Sequence, residues 1–165
     1  MPILSEATRR LALTPLLKRS LALTSVEFGE EVERVFTLEE IRAGAAEDGI
    51  SAWLTGEVWS YPTNQPALYT ITANNDATAA AILGAFPGGR NADHRGYVLS
   101  RANTRVAGSV TLYVGSSKNI RSRLKQHLWR APARTYALNL SRWCPDGDGN
   151  LSVKAQPAYI TTIDW

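Results

Sequence analysis

The segment that most constrains this chain is Leu112-Tyr113-Val114-Gly115-Ser116-Ser117-Lys118. It runs directly into Asn119-Ile120-Arg121-Ser122-Arg123-Leu124-Lys125-Gln126-His127-Leu128. Val110 to Gly115 reads as a strand ending in glycine. Ser116 or Ser117 can cap the helix that follows. Ile120, Leu124 and Leu128 recur every four residues, the spacing of the stripe a helix buries. Arg123 and His127, also four apart, fall on one side of that helix at the edge of the stripe. Arg121 and Lys125 point elsewhere, where with Lys118 and Arg130 they could meet phosphates.

Upstream stands Gly96-Tyr97-Val98. Gly96 to Arg101 reads as a strand and Arg101 to Ser109 as a polar loop containing Gly108. A hairpin of this strand with Val110–Gly115 places Tyr97 and Tyr113 at neighbouring strand ends. Two phenols, a guanidinium and an imidazole on one surface suit phosphodiester chemistry.

This order of residues resembles the GIY-YIG nuclease family, from about Asp93 to Trp165. The first motif stands as Gly96-Tyr97-Val98 and the second as Tyr113-Val114-Gly115, with Arg123 and His127 at +8 and +12 from Gly115. The resemblance implies an endonuclease that hydrolyses DNA phosphodiester bonds with Mg²⁺ or Mn²⁺. It implies Tyr97 as general base or water-positioning group and Tyr113 as its hydrogen-bonding support. Arg123 would neutralise charge building on the phosphate, and His127 would assist proton transfer or phosphate orientation. A tyrosine base needs its pKa lowered from about 10, which Arg123 and a cation could do. The family also carries a metal-binding Glu on a helix after a third strand. Here Ala158–Trp165 reads as that strand, and no Glu follows Glu57. Asp164 is the nearest acidic residue in position. Asp146 and Asp148 belong to a tight turn over Pro145–Asn150. The metal ligands are therefore unassigned, and weak cleavage alongside DNA binding is expected. Two other readings stay open: a nucleic-acid binding module without cleavage, and a basic protein-interaction domain.

Charge agrees with a polyanionic partner. Residues 1–60 hold ten acidic and six basic side chains, a balance of −4, and residues 61–165 hold five and twelve, a balance of +7, together +3. The half bearing the motifs is the cationic one. Cys144 is the single cysteine, so no internal disulfide forms and no cysteine metal site exists. No apolar run is long enough to span a membrane, and Met1 to Glu6 lacks the pattern of a secretion signal. A cytoplasmic protein is expected.

The remaining chain divides into a mainly helical region over residues 1–90 and the nuclease-like region over 91–165. Leu4, Leu11, Leu13, Leu16, Leu17, Leu21 and Leu23 suggest a helix, and Gly29 to Phe36 continues with helix formers. Thr37-Leu38-Glu39-Glu40 forms a capping box for a helix ending at Gly49. Tyr69 and Ile71 read as strand. Asp76 caps an alanine-rich helix to Phe86. Leu151–Val153 is a further strand. His94 reads as a solvated loop residue, and Trp129 and Trp143 as core or as base-stacking groups. The expected fold is α+β: helices first, then a small three-stranded antiparallel sheet with flanking helices.

Overall fold

A computed structural model describes residues 26–54, 66–86, 98–99 and 110–160. Among these residues the fold is α+β. Helices cover one face of an antiparallel sheet. The strands and helices run β1 (Val26–Phe28), β2 (Val32–Thr37), α1 (Leu38–Ala43), α2 (Ala46–Trp53), β3 (Ala67–Ala73), α3 (Asp76–Ala85), β4 (Val98–Leu99), β5 (Thr111–Ser117), α4 (Ile120–Leu128), β6 (Tyr136–Ala137) and β7 (Asn150–Ile160).

The main sheet has five strands, not three. Its order is β1-β7-β3-β5, and β2 also lies on β7. The strand β7 organises it. One edge pairs with β3 from Leu151 to Pro157. The other pairs first with β2 and then, from Ala158 onward, with β1. The third strand thus begins at Asn150 and includes both stretches read as separate strands, Leu151–Val153 and Ala158 onward. Strands from both sides of position 90 hydrogen-bond in this one sheet.

Residues 29–36 are not helical. Val32 to Thr37 alternates outward and inward, with Phe36 buried and Val35 exposed. That period of two overrides the mild helix preference of Glu and Arg. The capping box does form: Glu40 N–H donates to Thr37 Oγ1 at 3.0 Å, and Thr37 N–H donates to Glu40 Oε2 at 2.7 Å. The helix it opens stops early, at Gly44, whose φ of 82° is left-handed. Gly49 lies inside α2. The cap of α3 is Asn75, one residue before Asp76: Asn75 Oδ1 accepts from Thr78 N–H at 2.8 Å.

The expected hairpin is replaced. The strand β5 pairs antiparallel with β3, while Val98–Leu99 pairs parallel with Tyr136–Ala137. The inward residues of β3 are Ala67, Tyr69, Ile71 and Ala73, all buried. They meet Phe36, Ile41, Ile50, Trp53, Leu124 and Leu128 in the core. Leu68, Val35 and Val114 stand exposed on the opposite face. The stripe Ile120, Leu124, Leu128 is buried as its spacing requires, and it seats α4 on the sheet.

Candidate active site

In the β3–β5 ladder Tyr69 lies opposite Gly115, and Ile71 lies opposite Tyr113. Directly opposed residues point to the same face, so Tyr69 and Tyr113 both face α4. Gly115 leaves room for them. A Cβ at that position would come within 2.6 Å of Tyr69 Oη and 2.7 Å of Tyr113 Cε1. The two phenol rings stack, with centroids 5.8 Å apart and planes 16° apart.

The helix α4 supplies the other two groups. It is capped by Asn119 rather than by Ser116 or Ser117; Asn119 Oδ1 accepts from Ser122 N–H at 3.1 Å. Its third turn brings His127 against both tyrosines, 4.1 Å from the Tyr113 ring and 5.8 Å from the Tyr69 ring. His127 is fully buried. Leu138 N–H donates to its Nδ1 at 3.2 Å. Nδ1 is therefore the acceptor, and the neutral ring carries its proton on Nε2. That proton is donated to Tyr69 Oη, 3.1 Å away. Burial, helped by the charge of Arg123, pushes the His127 pKa down to about 3. The imidazole is thus an uncharged donor near neutral pH.

Arg123 is half-buried. Its Nη2 donates to Tyr113 Oη at 3.4 Å and its Nη1 to Gln126 Oε1 at 2.8 Å. Burial works against its charge, but the bond to Tyr113 and the nearby Tyr69 phenol outweigh it, and its pKa rises above the ordinary value. For Tyr69 the expected lowering by Arg123 is overcome. Burial dominates and raises the phenol to about 12. Tyr69 is thus held protonated.

Three of the four expected catalytic residues, Tyr113, Arg123 and His127, come together. Tyr97, His94 and Asp164 lie outside the described residues. Tyr69 occupies the place beside Tyr113 that the hairpin had given to Tyr97. Of the expected phosphate contacts, Lys118 is exposed, and Arg130 is exposed with its guanidinium 5.7 Å from the Trp129 ring centroid. Arg121 and Lys125 do not point away from the protein. Arg121 Nη2 donates to the Leu54 carbonyl and its Nε is buried; Lys125 pairs with Glu47 at 3.3 Å. Arg121 fastens α4 to the C-terminal end of α2 and Lys125 fastens it to the first turn of α2. Trp143 is structural: its indole N–H donates to Leu138 O at 2.6 Å, and Phe86 packs edge-on against its ring. Asp146 pairs with Arg42 at 3.3 Å.

Sequence reasoning missed Tyr69 and Gln126. The available signal for Tyr69 was the inward alternation Ala67, Tyr69, Ile71, Ala73, a complete strand able to lie beside Gly115.

A divalent cation of the Mg²⁺ class prefers carboxylate and phosphate oxygens. The groups meeting at Tyr69 are phenol, guanidinium and neutral imidazole, a donor set that suits an anion. Among the described residues there is no cluster of three His, Cys, Asp or Glu side chains. These residues therefore do not by themselves form the metal site that the resemblance implies. No protein-family model matches the chain, and no curated protein or solved structure matches it.

Proposed function

We propose that the chain acts on DNA as a GIY-YIG-like nuclease, with Tyr69 and Tyr113 as the paired phenols and Arg123 as the phosphate-binding cation. The observation that carries this reading is the convergence of Tyr69, Tyr113, Arg123 and His127 across Gly115. The Tyr69 oxygen receives a hydrogen bond from His127 Nε2, and its ring stacks on that of Tyr113. Tyr113 Oη accepts from Arg123. Tyr113 is partly exposed, so its own O–H can donate to a phosphate oxygen bound beside the guanidinium. A chain of hydrogen bonds in a low-dielectric setting strengthens such a terminal donor. Arg123 adds a fixed positive charge that needs no rearrangement when charge develops on the phosphate.

In this reading Tyr69 serves as a donor rather than as the base, because a phenol held near pKa 12 gives up its proton reluctantly. Proton abstraction from the attacking water falls to a group outside this cluster. The donor set also favours a second reading: a site that holds a phosphodiester without cleaving it.

Nicking of supercoiled plasmid, with Mg²⁺ and with a chelator, separates the two. Chelator-sensitive nicking that disappears in Arg123→Ala supports the nuclease. Salt-sensitive DNA binding that weakens in Arg123→Ala, with no nicking, supports the binding module. An absence of DNA binding by the unaltered protein at low salt ends both.

A further inference from the structure

The chain leaves α4 just after His127 and returns to the same residue at Leu138, whose N–H caps His127 Nδ1. Between these points runs a compact loop with rigid ends. Asn139, fully buried, accepts from Ala131 N–H at 2.7 Å through Oδ1, and Ser141 Oγ donates to Trp129 O at 2.7 Å. Asn139 itself adopts a left-handed conformation, φ 52°. A surface loop of this length, closed at its neck by its own hydrogen bonds, is a common carrier of function.

What this loop displays is specific. Arg130 and Arg134 are exposed, and Tyr136 is 60 % exposed although the neighbouring Ala137 and Leu138 are buried. Arg134 holds φ 67°, a conformation that favours glycine or asparagine. An arginine there carries a backbone cost that its neighbours impose, and such outliers cluster at functional sites. Tyr136 opens the short strand β6 and Leu138 follows its last residue. The Leu138 amide touches His127, which touches both site tyrosines. The exposed ring of Tyr136 thus stands two residues from the backbone amide that fixes His127.

We infer that the loop Arg130–Tyr136 is a nucleotide-binding wall, with Tyr136 stacking on an unpaired base next to the bound phosphate and Arg130 and Arg134 holding the flanking phosphates. This rests on the DNA reading above and narrows it. Bases inside a duplex present only their edges, whereas an unpaired base offers a face to an aromatic ring. The preferred substrate is DNA with a single-stranded segment or frayed end at the site.

The test is fluorescence anisotropy of the full chain with a labelled single-stranded oligonucleotide and with a blunt duplex of the same sequence. Tyr136→Ala should weaken single-strand binding about thirtyfold, the middle of the range for one base stack, and leave duplex binding nearly unchanged. Tyr136→Phe, which keeps the ring, should restore the affinity. Arg134→Gly relieves the backbone strain, so the protein should be at least as stable. It should nevertheless lower the salt slope by about one. Equal binding by Tyr136→Ala and the unaltered protein, while Arg123→Ala weakens both DNAs, overturns the wall and leaves the DNA reading standing. Failure of the unaltered protein to bind either DNA overturns both.

Discussion

Tyr69 and Gly115 face each other across the β3–β5 ladder, and the glycine is what lets the Tyr69 hydroxyl reach His127. A methyl at position 115 would sit 2.6 Å from Tyr69 Oη and 2.7 Å from the Tyr113 ring, closer than carbon atoms approach without displacement. Gly115→Ala should therefore push both phenols apart. The expected cost is about 1–3 kcal/mol of stability, the usual range for overpacking, with DNA binding reduced as much as in Tyr69→Phe. Urea unfolding and anisotropy on the same samples check this. Unchanged stability and binding in Gly115→Ala would mean that the two rings are not held as tightly as described.

The burial of His127 makes stability depend on pH. Its pKa is about 3 in the folded chain against 6.5 unfolded, so below pH 6.5 the unfolded chain binds a proton that the folded chain does not. The stability contributed by the neutral ring is full above pH 6.5 and declines as pH falls from there toward 3. Tyr69, Tyr113 and Arg123 pack around the ring, and the guanidinium adds to the penalty for a charged imidazole. His127→Gln can keep a donor toward Tyr69 and an acceptor for Leu138 without titrating. Urea midpoints measured from pH 4 to 8 should fall more steeply toward acid in the unaltered protein than in His127→Gln. Parallel curves would contradict the neutral buried imidazole. At the alkaline end the sign reverses. The contribution of protonated Tyr69 is complete below about pH 10 and is lost as pH rises toward 12.

Part of this was legible in the sequence because it is local. The Thr37–Glu40 capping box, the Ile120, Leu124, Leu128 stripe and the pairing of Arg123 with His127 all depend on spacings of three or four residues along one helix. The choice of strand partner is not local. Val98–Leu99 precedes β5 closely in sequence, yet β5 pairs with β3, whose inward face of Ala67, Tyr69, Ile71 and Ala73 completes the core. A short Gly-Tyr-Val word shows nothing of that long-range packing. The true partnership needed the match between a ring on one strand and a missing side chain on the other. The helical reading of residues 29–36 failed for a related reason. Glu33 and Arg34 are good helix formers, but pairing with β7 decides their state.

The basic residues of the α4 region should separate by role in a salt titration. Each side chain that contacts a phosphate contributes about one to the slope of log affinity against log salt. Lys118→Ala and Arg130→Ala should each lower the slope, because both side chains are exposed. Arg121→Ala and Lys125→Ala should leave the slope nearly unchanged. Their charges are engaged by the Leu54 carbonyl and by Glu47. Arg121→Ala should instead lower the unfolding midpoint, since it removes a tie between α2 and α4 and leaves the Leu54 carbonyl without that donor. Equal slopes for all four variants would argue that DNA approaches from elsewhere.

Arg123 should not tolerate lysine. Its guanidinium spans two acceptors at once, Tyr113 Oη through Nη2 and Gln126 Oε1 through Nη1. A lysine ammonium is a single point charge on a flexible stem and cannot reproduce that planar fork. In Arg123→Lys the net charge is kept, so long-range attraction of DNA and the salt slope should change little. The phosphate-facing geometry is lost, however, and Tyr113 loses a fixed donor. Affinity at moderate salt should fall about tenfold, nearly as far as in Arg123→Ala, and any plasmid nicking should fall with it. Gln126→Leu should produce a weaker form of the same defect, because it frees one end of the fork without removing the charge. These three variants measured together distinguish geometry from charge. Full activity in Arg123→Lys would show that a positive charge alone suffices at this position, and that the contacts to Tyr113 and Gln126 only pack the helix against the sheet.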